Sequence, residues 1–386
     1  MFKPLIPRFK TNYNWREWFA AFSFWKNEIS IYEKEFAQKF GCPHGIMFSY
    51  GRSALYALFK IWNLVDKEII TPAYTCVVVP HSIVLSGNYP KFIDCQKGKF
   101  NMDYNQLEQS ISEKTGAIVV THLFGYAMDV KRIDEIVKTA EKKFNNKIFV
   151  IQDLAHSYGT TFDGEMVSLY GDASIFGCNI SKIINSIFGG MVITRNDKTN
   201  KLLKDYREKN SKKSSSFKEI KRLIYFVAVN FAFKPIFFGI VNYLERRGFL
   251  DKFTKYYSED TIEFPDDWSE QPKKIEARVG RIQLMKYDKI IENRRKCAKN
   301  TIKEFNGNND IKFLEYDNEC TYSHIVALVE NRNDWIEAYR KKQKQLGTII
   351  DYSVPELKSY KKYVNNTNDF PVARNYSKHI INFPIY

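Results

Sequence analysis

A chain of 386 residues is long enough for a large domain and a smaller one, each with its own core. Hydrophobic residues at 44% and aromatic residues at 16% exclude extensive disorder. The net charge of +15 favours anionic partners: phosphorylated small molecules, nucleic acid or an anionic membrane. No zinc-finger spacing, RNP motif or Walker loop accompanies that charge, so no nucleic-acid partner is expected. Six scattered cysteines without CxxC spacing, and six histidines without HxxxH or HExxH pairs, point to reduced thiols in the cytoplasm and to no metal. The stretch MFKPLIPRFKTNYNW lacks a signal-peptide core, which argues against export.

From about residue 50 to 195 short apolar runs alternate with helical patterns. KEIITPAY (67–74), YPKFIDC (89–95), GAIVVTHLFG (116–125), KIFVIQDL (147–154), ASIFGC (173–178) and GMVITR (190–195) are rich in β-branched and aromatic residues and read as strands. Between them, SALYALFKIW (53–62) and DVKRIDEIVKTAEKKF (129–144) repeat apolar positions at three and four, as helices do. The alternation predicts an α/β domain with a mostly parallel, doubly wound sheet, and ligands beyond the carboxyl ends of its strands.

After Asn196 the composition changes. The basic, serine-rich run 201–222 reads as a helix end followed by an exposed linker. LIYFVAVNFAFKPIFFGIVNYL (223–244) is apolar for most of its length, with Lys234 and Pro235 at its centre and basic residues at both ends. The central Lys-Pro argues against a straight membrane span. Two readings stay open: a helix pair lying on the membrane surface through 223–247, or an interface with a second subunit. The last third predicts a long amphipathic helix (275–305), a strand in TYSHIVALVE (321–330), a helix through WIEAYRKKQKQLG and a short run GTIIDYSV, together a smaller C-terminal α/β domain. The expected division is 1–200, a basic and apolar insertion at 201–270, and 271–386.

Residues that carry chemistry fall at the strand ends. KIFVIQD delivers Asp153, with His156 following. FGCNISKIINSIFGG (176–190) delivers Lys182 and then the paired glycines Gly189 and Gly190, expected to serve a turn. FSYGRSALYAL places Gly51, Arg52 and Ser53 at a helix start, where backbone N–H groups and the helix dipole attract anions. A lysine, a carboxylate and a phosphate-type pocket on one sheet edge are what pyridoxal phosphate chemistry requires: a Schiff-base lysine, a partner for the pyridine nitrogen and a phosphate cradle. His122, in THLFG, reads as structural.

In this order, YGRSALYALFKIW, IITPAYT, FIDCQKGKFNMDYNQLEQSISEKTGAIVVTHLFGYAMDVKRI, VIQDLAHSYGTTFDG, GDASIFGCNISK, FGGMVITRND and FPVARNYSKHIINFPIY resemble the DegT/StrS-type aminotransferases, fold-type I pyridoxal-phosphate enzymes related to aspartate aminotransferase. The resemblance covers roughly 30–200 and 270–386. It implies Lys182 as the Schiff-base lysine, Asp153 at the pyridine nitrogen and His156 at the cofactor's phenolic oxygen. It implies Arg52 and Ser53 at the phosphate, beside the helix start at Gly51, and either Tyr74 as the ring-stacking aromatic or weaker stacking, since Cys76 stands where one is expected. Gly177 replaces a serine that often binds phosphate, and Ser269 and Gln271 replace an asparagine and an arginine. The implied activity is transfer of an amino group, from glutamate, to a nucleotide-linked keto-sugar for surface-glycan biosynthesis. It is expected in a cytoplasmic homodimer with an optional contact to the inner membrane face. The rival is a catalytically degenerate descendant that docks on a membrane or a partner.

Overall fold

The computed structural model describes residues 4–24, 26–213, 215–249, 260–366 and 369–386. The chain begins with α1 (Trp15–Phe22), α2 (Glu28–Lys39), β1 (His44–Phe48), α3 (Gly51–Ile61), β2 (Glu68–Pro72), α4 (Val78–Leu85) and β3 (Tyr89–Ile93). It continues through α5 (Tyr104–Ser110), β4 (Thr115–Thr121), α6 (Val130–Phe144) and β5 (Phe149–Asp153). A small ribbon, β6 (Thr161–Phe162) with β7 (Glu165–Met166), precedes β8 (Ala173–Gly177) and β9 (Gly190–Thr194). These strands, ribbon apart, build one seven-stranded sheet in the order β1-β9-β8-β5-β4-β2-β3. All ladders from β3 to β8 are parallel, and only β9 runs against its neighbours, β8 and β1.

The inner strands of this sheet are buried and mostly apolar, as a sheet covered on both faces requires. On one face Leu55, Leu58 and Phe59 of α3 pack on Ile69, Val119, Ile151 and Val192. On the other Ile133, Ile136 and Val137, the buried stripe of α6, pack on Ile118 and Val120. Asp129 caps α6 by accepting from the Arg132 N–H at 2.9 Å, which fixes where that helix starts after β4.

Beyond β9 lie α7 (Asp197–Asn210), α8 (Ser216–Ala232), α9 (Pro235–Arg246), α10 (Lys274–Met285) and α11 (Tyr287–Glu304). A three-stranded antiparallel sheet of β10 (Ile311–Phe313), β11 (Ile325–Val329) and β12 (Ile380–Phe383) carries α12 (Arg332–Lys341) and α13 (Pro371–His379). Its core joins Ala298, Tyr339 and Phe383.

Two expectations change, and two features appear on which the sequence reading was silent. The basic run 201–222 is mostly helix, since only 211–215 separate α7 from α8. The helix expected over 275–305 is two helices meeting at Lys286. GTIIDYSV forms no strand and contributes a single bridge, Gly347 to Asn382. Strand β1, absent from the sequence reading, closes the sheet edge against β9.

Candidate active site

The carboxyl ends of β5 and β8 and the start of α3 meet around one cavity, lined by Gly51, Arg52, Thr75, Cys76, Thr121, Asp153, His156, Gly177, Asn179 and Lys182 among others. Glycines make this approach possible. A Cβ on Gly51 would meet the Phe176 carbonyl oxygen at 3.1 Å, so the first turn of α3 lies directly against the end of β8. A Cβ on Gly190 would lie 2.3 Å from both the Gly51 nitrogen and the Tyr50 carbonyl carbon. No side chain fits there, so the turn entering β9 can press against the same helix start only as glycine.

The connection from β8 to β9 holds Lys182. Its N–H donates to the Asn179 carbonyl at 3.0 Å, while the Ser181 hydroxyl donates to Asn179 Oδ1 at 2.8 Å. Asn185 Oδ1 accepts from the Ile187 N–H at 3.0 Å, and Ile187 sits at φ +75°, a conformation a β-branched residue adopts only when its surroundings impose it. Lys182 is partly accessible toward the cavity. Loss of hydration lowers its pKa; Cys76, Asp153 and Cys178 pull the other way.

Asp153 ends β5 with its carboxylate buried. Oδ1 accepts from the Ala155 N–H at 3.1 Å and Oδ2 from the Thr121 hydroxyl at 3.4 Å. Burial raises its pKa, while the Ala155 N–H, Lys182 and Thr121 favour the charged form. His156 packs face to face with Phe124, ring centroids 5.6 Å apart, and lies 5.2 Å from the ring of His324. Burial, then Lys182 and His324, hold its pKa well below the ordinary imidazole value, so it is neutral.

Five of the seven residues picked out in the sequence therefore line one cavity: Gly51, Arg52, Asp153, His156 and Lys182. Ser53 and Tyr74 are placed elsewhere. The Ser53 hydroxyl donates to the Trp268 carbonyl at 2.6 Å, turned toward the loop before α10. Tyr74 is fully buried, its ring among Phe100, Phe124 and Tyr376 and its hydroxyl 3.3 Å from the Ile349 carbonyl. Thr75, Thr121, Asn179 and His324 were missed. Thr75 and Thr121 sit at strand ends next to residues already singled out, which is a usable signal; His324 arrives from the C-terminal sheet, and only the fold could have placed it.

Two buried polar atoms on residues lining this cavity, Thr75 Oγ1 and His156 Nδ1, have no protein partner. Buried polar atoms are rarely left so, which marks them as places for a ligand. With a desolvated amine, a fixed carboxylate and the N–H groups of an eleven-residue helix, they fit a phosphorylated pyridine aldehyde. A larger open cleft of about 640 Å³ lies beside α2, bordered by Glu33 and Arg207, and contains none of this constellation.

Comparisons with known proteins agree with this reading. The sequence profile of the DegT/DnrJ/EryC1/StrS aminotransferase family matches residues 21–235 and 269–386. GDP-perosamine synthase of Escherichia coli O157:H7 is 33% identical over 174 residues, covering 45% of this chain and 46% of that protein. The dTDP-3-amino-3,6-dideoxy-alpha-D-galactopyranose transaminase of Aneurinibacillus thermoaerophilus is 30% identical over 171 residues, 44% of this chain and 46% of that protein. The chain thus spans about half the length of the curated relatives it matches. In fold it is similar to a putative sugar aminotransferase from Streptococcus pneumoniae solved in its PMP form, with a TM-score of 0.75 at 19% identity over 100% of this chain and 94% of that one.

Proposed function

The chain belongs to the DegT/DnrJ/EryC1/StrS aminotransferase family, and from that premise we propose that it is a pyridoxal-phosphate-dependent aminotransferase that moves an amino group onto a nucleotide-linked keto-sugar. The observation that carries the reading is the placing of Lys182 and Asp153 on one cavity at the strand ends, each charge perturbed by the other and by burial.

Bound there, pyridoxal phosphate supplies an aldehyde open to amines and a pyridinium ring that accepts the electrons left when a carbon loses its proton. The chain's residues do the rest. Lys182 Nζ, its pKa lowered by loss of hydration, presents a larger share of neutral amine than an exposed lysine, and only the neutral form has a lone pair. The same Nζ would carry the proton lost by the substrate carbon to the cofactor's aldehyde carbon. Asp153, fixed by the Ala155 N–H and the Thr121 hydroxyl, holds a proton at the ring nitrogen. His156 Nδ1 and the Thr75 hydroxyl orient the ring through the hydrogen bonds that no protein group now fills. Gly51 N–H and the Arg52 guanidinium bind the phosphate, a charge-assisted contact suited to the fork of arginine.

Glutamate as donor and a homodimer as the working unit rest on the family resemblance. The test is product analysis: with glutamate and a nucleotide-linked 4-keto-6-deoxy sugar, mass spectrometry should detect the amino-sugar nucleotide and 2-oxoglutarate in equal amounts. The Lys182→Ala variant should form neither; an amino-sugar formed by that variant, or none formed by the cofactor-loaded parent with any such sugar, overturns the reading.

A further inference from the structure

Helices α1, α8 and α9 form one connected layer. Trp18 of α1 packs on Phe226 of α8, ring centroids 5.1 Å apart, and the Leu5 N–H donates to the carbonyl of Pro235, the first residue of α9, at 3.0 Å. Each helix nonetheless turns a stripe of large apolar side chains to solvent. Trp15 and Phe19 of α1 are 71% and 67% exposed, Ile220 and Ile224 of α8 are 52% and 63%, and Ile236 and Ile240 of α9 are 65% and 41%. The spacing of four residues puts each pair on one helix face. A surface helix places polar residues there, so outward apolar stripes on three contiguous helices mark a contact face.

Basic side chains border that face. Arg16 lies over the Trp15 ring at 5.5 Å, Lys221 over Phe217 at 4.8 Å, Lys234 over Phe231 at 4.8 Å and Arg247 over Tyr243 at 5.3 Å. Residues 201–250 carry 12 Lys and Arg against 4 Asp and Glu. A second copy meeting this face across a two-fold axis would set one basic rim against another, which disfavours self-association. A surface of anionic headgroups over acyl chains complements both the charge and the apolar stripes. No single helix among the described residues is long and apolar enough to span a bilayer, and α8 and α9 bend by 107° at their junction, a shape suited to lying along its surface. The family match also stops at 235 and resumes at 269, so most of α9 lies outside what the family profile matches.

We propose that α1, α8 and α9 are a docking face for an anionic lipid bilayer, lying in the headgroup plane with their apolar stripes in the acyl boundary. This is independent of the chemistry at Lys182. The test uses the full chain with vesicles of phosphatidylcholine alone and of phosphatidylcholine with phosphatidylglycerol. Sedimentation with the anionic vesicles should exceed that with neutral ones by at least tenfold in affinity, since each nearby basic residue is worth about fivefold. Added salt should weaken it. The variant Ile220→Ser/Ile224→Ser/Ile236→Ser should bind at least tenfold more weakly with its subunit mass in solution unchanged. In the unaltered chain, brominated acyl chains should quench tryptophan fluorescence, because Trp15 lies on the face. Absence of vesicle binding by the folded parent, unquenched fluorescence, or undiminished binding by the variant overturns the proposal. A variant that loses a dimer, from a parent that ignores vesicles, assigns the face to a second copy instead.

Discussion

Acid should destabilise the fold through His122, by an amount the structure sets. His122 is fully buried, with Nε2 2.8 Å from Gln152 Oε1 and Nδ1 accepting from the Met128 N–H at 3.0 Å. That arrangement requires the neutral ring, because a second ring proton would point at the Met128 N–H. Burial lowers its pKa from 6.5 to about 4, against the favourable contact with Gln152. The unfolded chain therefore takes up a proton that the folded one refuses. A folded pKa below the unfolded value means that stability is highest above 6.5 and declines as pH falls toward about 4. At about 1.36 kcal/mol per pH unit the full gap is about 3 kcal/mol, of which about 2 kcal/mol is lost between roughly pH 7 and pH 5. Replacing His122 by Gln keeps a donor and an acceptor and removes the titration. Urea unfolding across this range should show a pH dependence smaller by about 2 kcal/mol in His122→Gln than in the parent, whatever the variant's offset at neutral pH. Identical pH dependence in the two proteins would refute the argument.

Three further outcomes follow from the cavity. Gly190→Ala drives a Cβ to 2.3 Å from the backbone at Tyr50 and Gly51, so its melting temperature should fall by an amount corresponding to about 2 kcal/mol or more, with cofactor binding weakened as well. Gly177→Ser has room, its Cβ meeting Lys182 Cε at 3.8 Å and Ala155 Cβ at 3.9 Å; the added hydroxyl should tighten pyridoxal phosphate binding about tenfold in a fluorescence titration. Asp153→Asn keeps the shape and the acceptor for the Ala155 N–H but removes the charge that raises the pKa of Lys182. Turnover should fall by about two orders of magnitude or more, and a pH titration of the cofactor's absorption should show the Lys182 transition moved to lower pH.

Much of the fold was legible because its strands are short, continuous and β-branched, and because Asp153 ends one such run and Lys182 follows closely on another. What was not legible depends on segments distant in the chain. Ser53 and Tyr74 have the right neighbours in sequence, yet Trp268 and Ile349, each more than 200 residues further on, claim their hydroxyls. His324 reaches the site from a different sheet, and nothing local in TYSHIVALVE distinguishes it from an ordinary strand-end histidine. In α1, WREWFAAF, the structure buries Glu17, Ala20 and Ala21 and leaves the large aromatics Trp15 and Phe19 outside. Glu17 is drawn in by Lys286 and by Gln283, which donates to it at 2.7 Å from α10, a pairing only the assembled fold supplies.

The most direct test of the central claim is the visible absorption of the purified chain with pyridoxal phosphate, before and after glutamate, beside Lys182→Ala. A yellow band that glutamate bleaches in the parent and that the variant lacks is the predicted result, and it would join cofactor, lysine and first half-reaction in one spectrum. A band that persists unchanged in Lys182→Ala, or no band in a folded parent, would contradict the assignment of this cavity to aminotransferase chemistry.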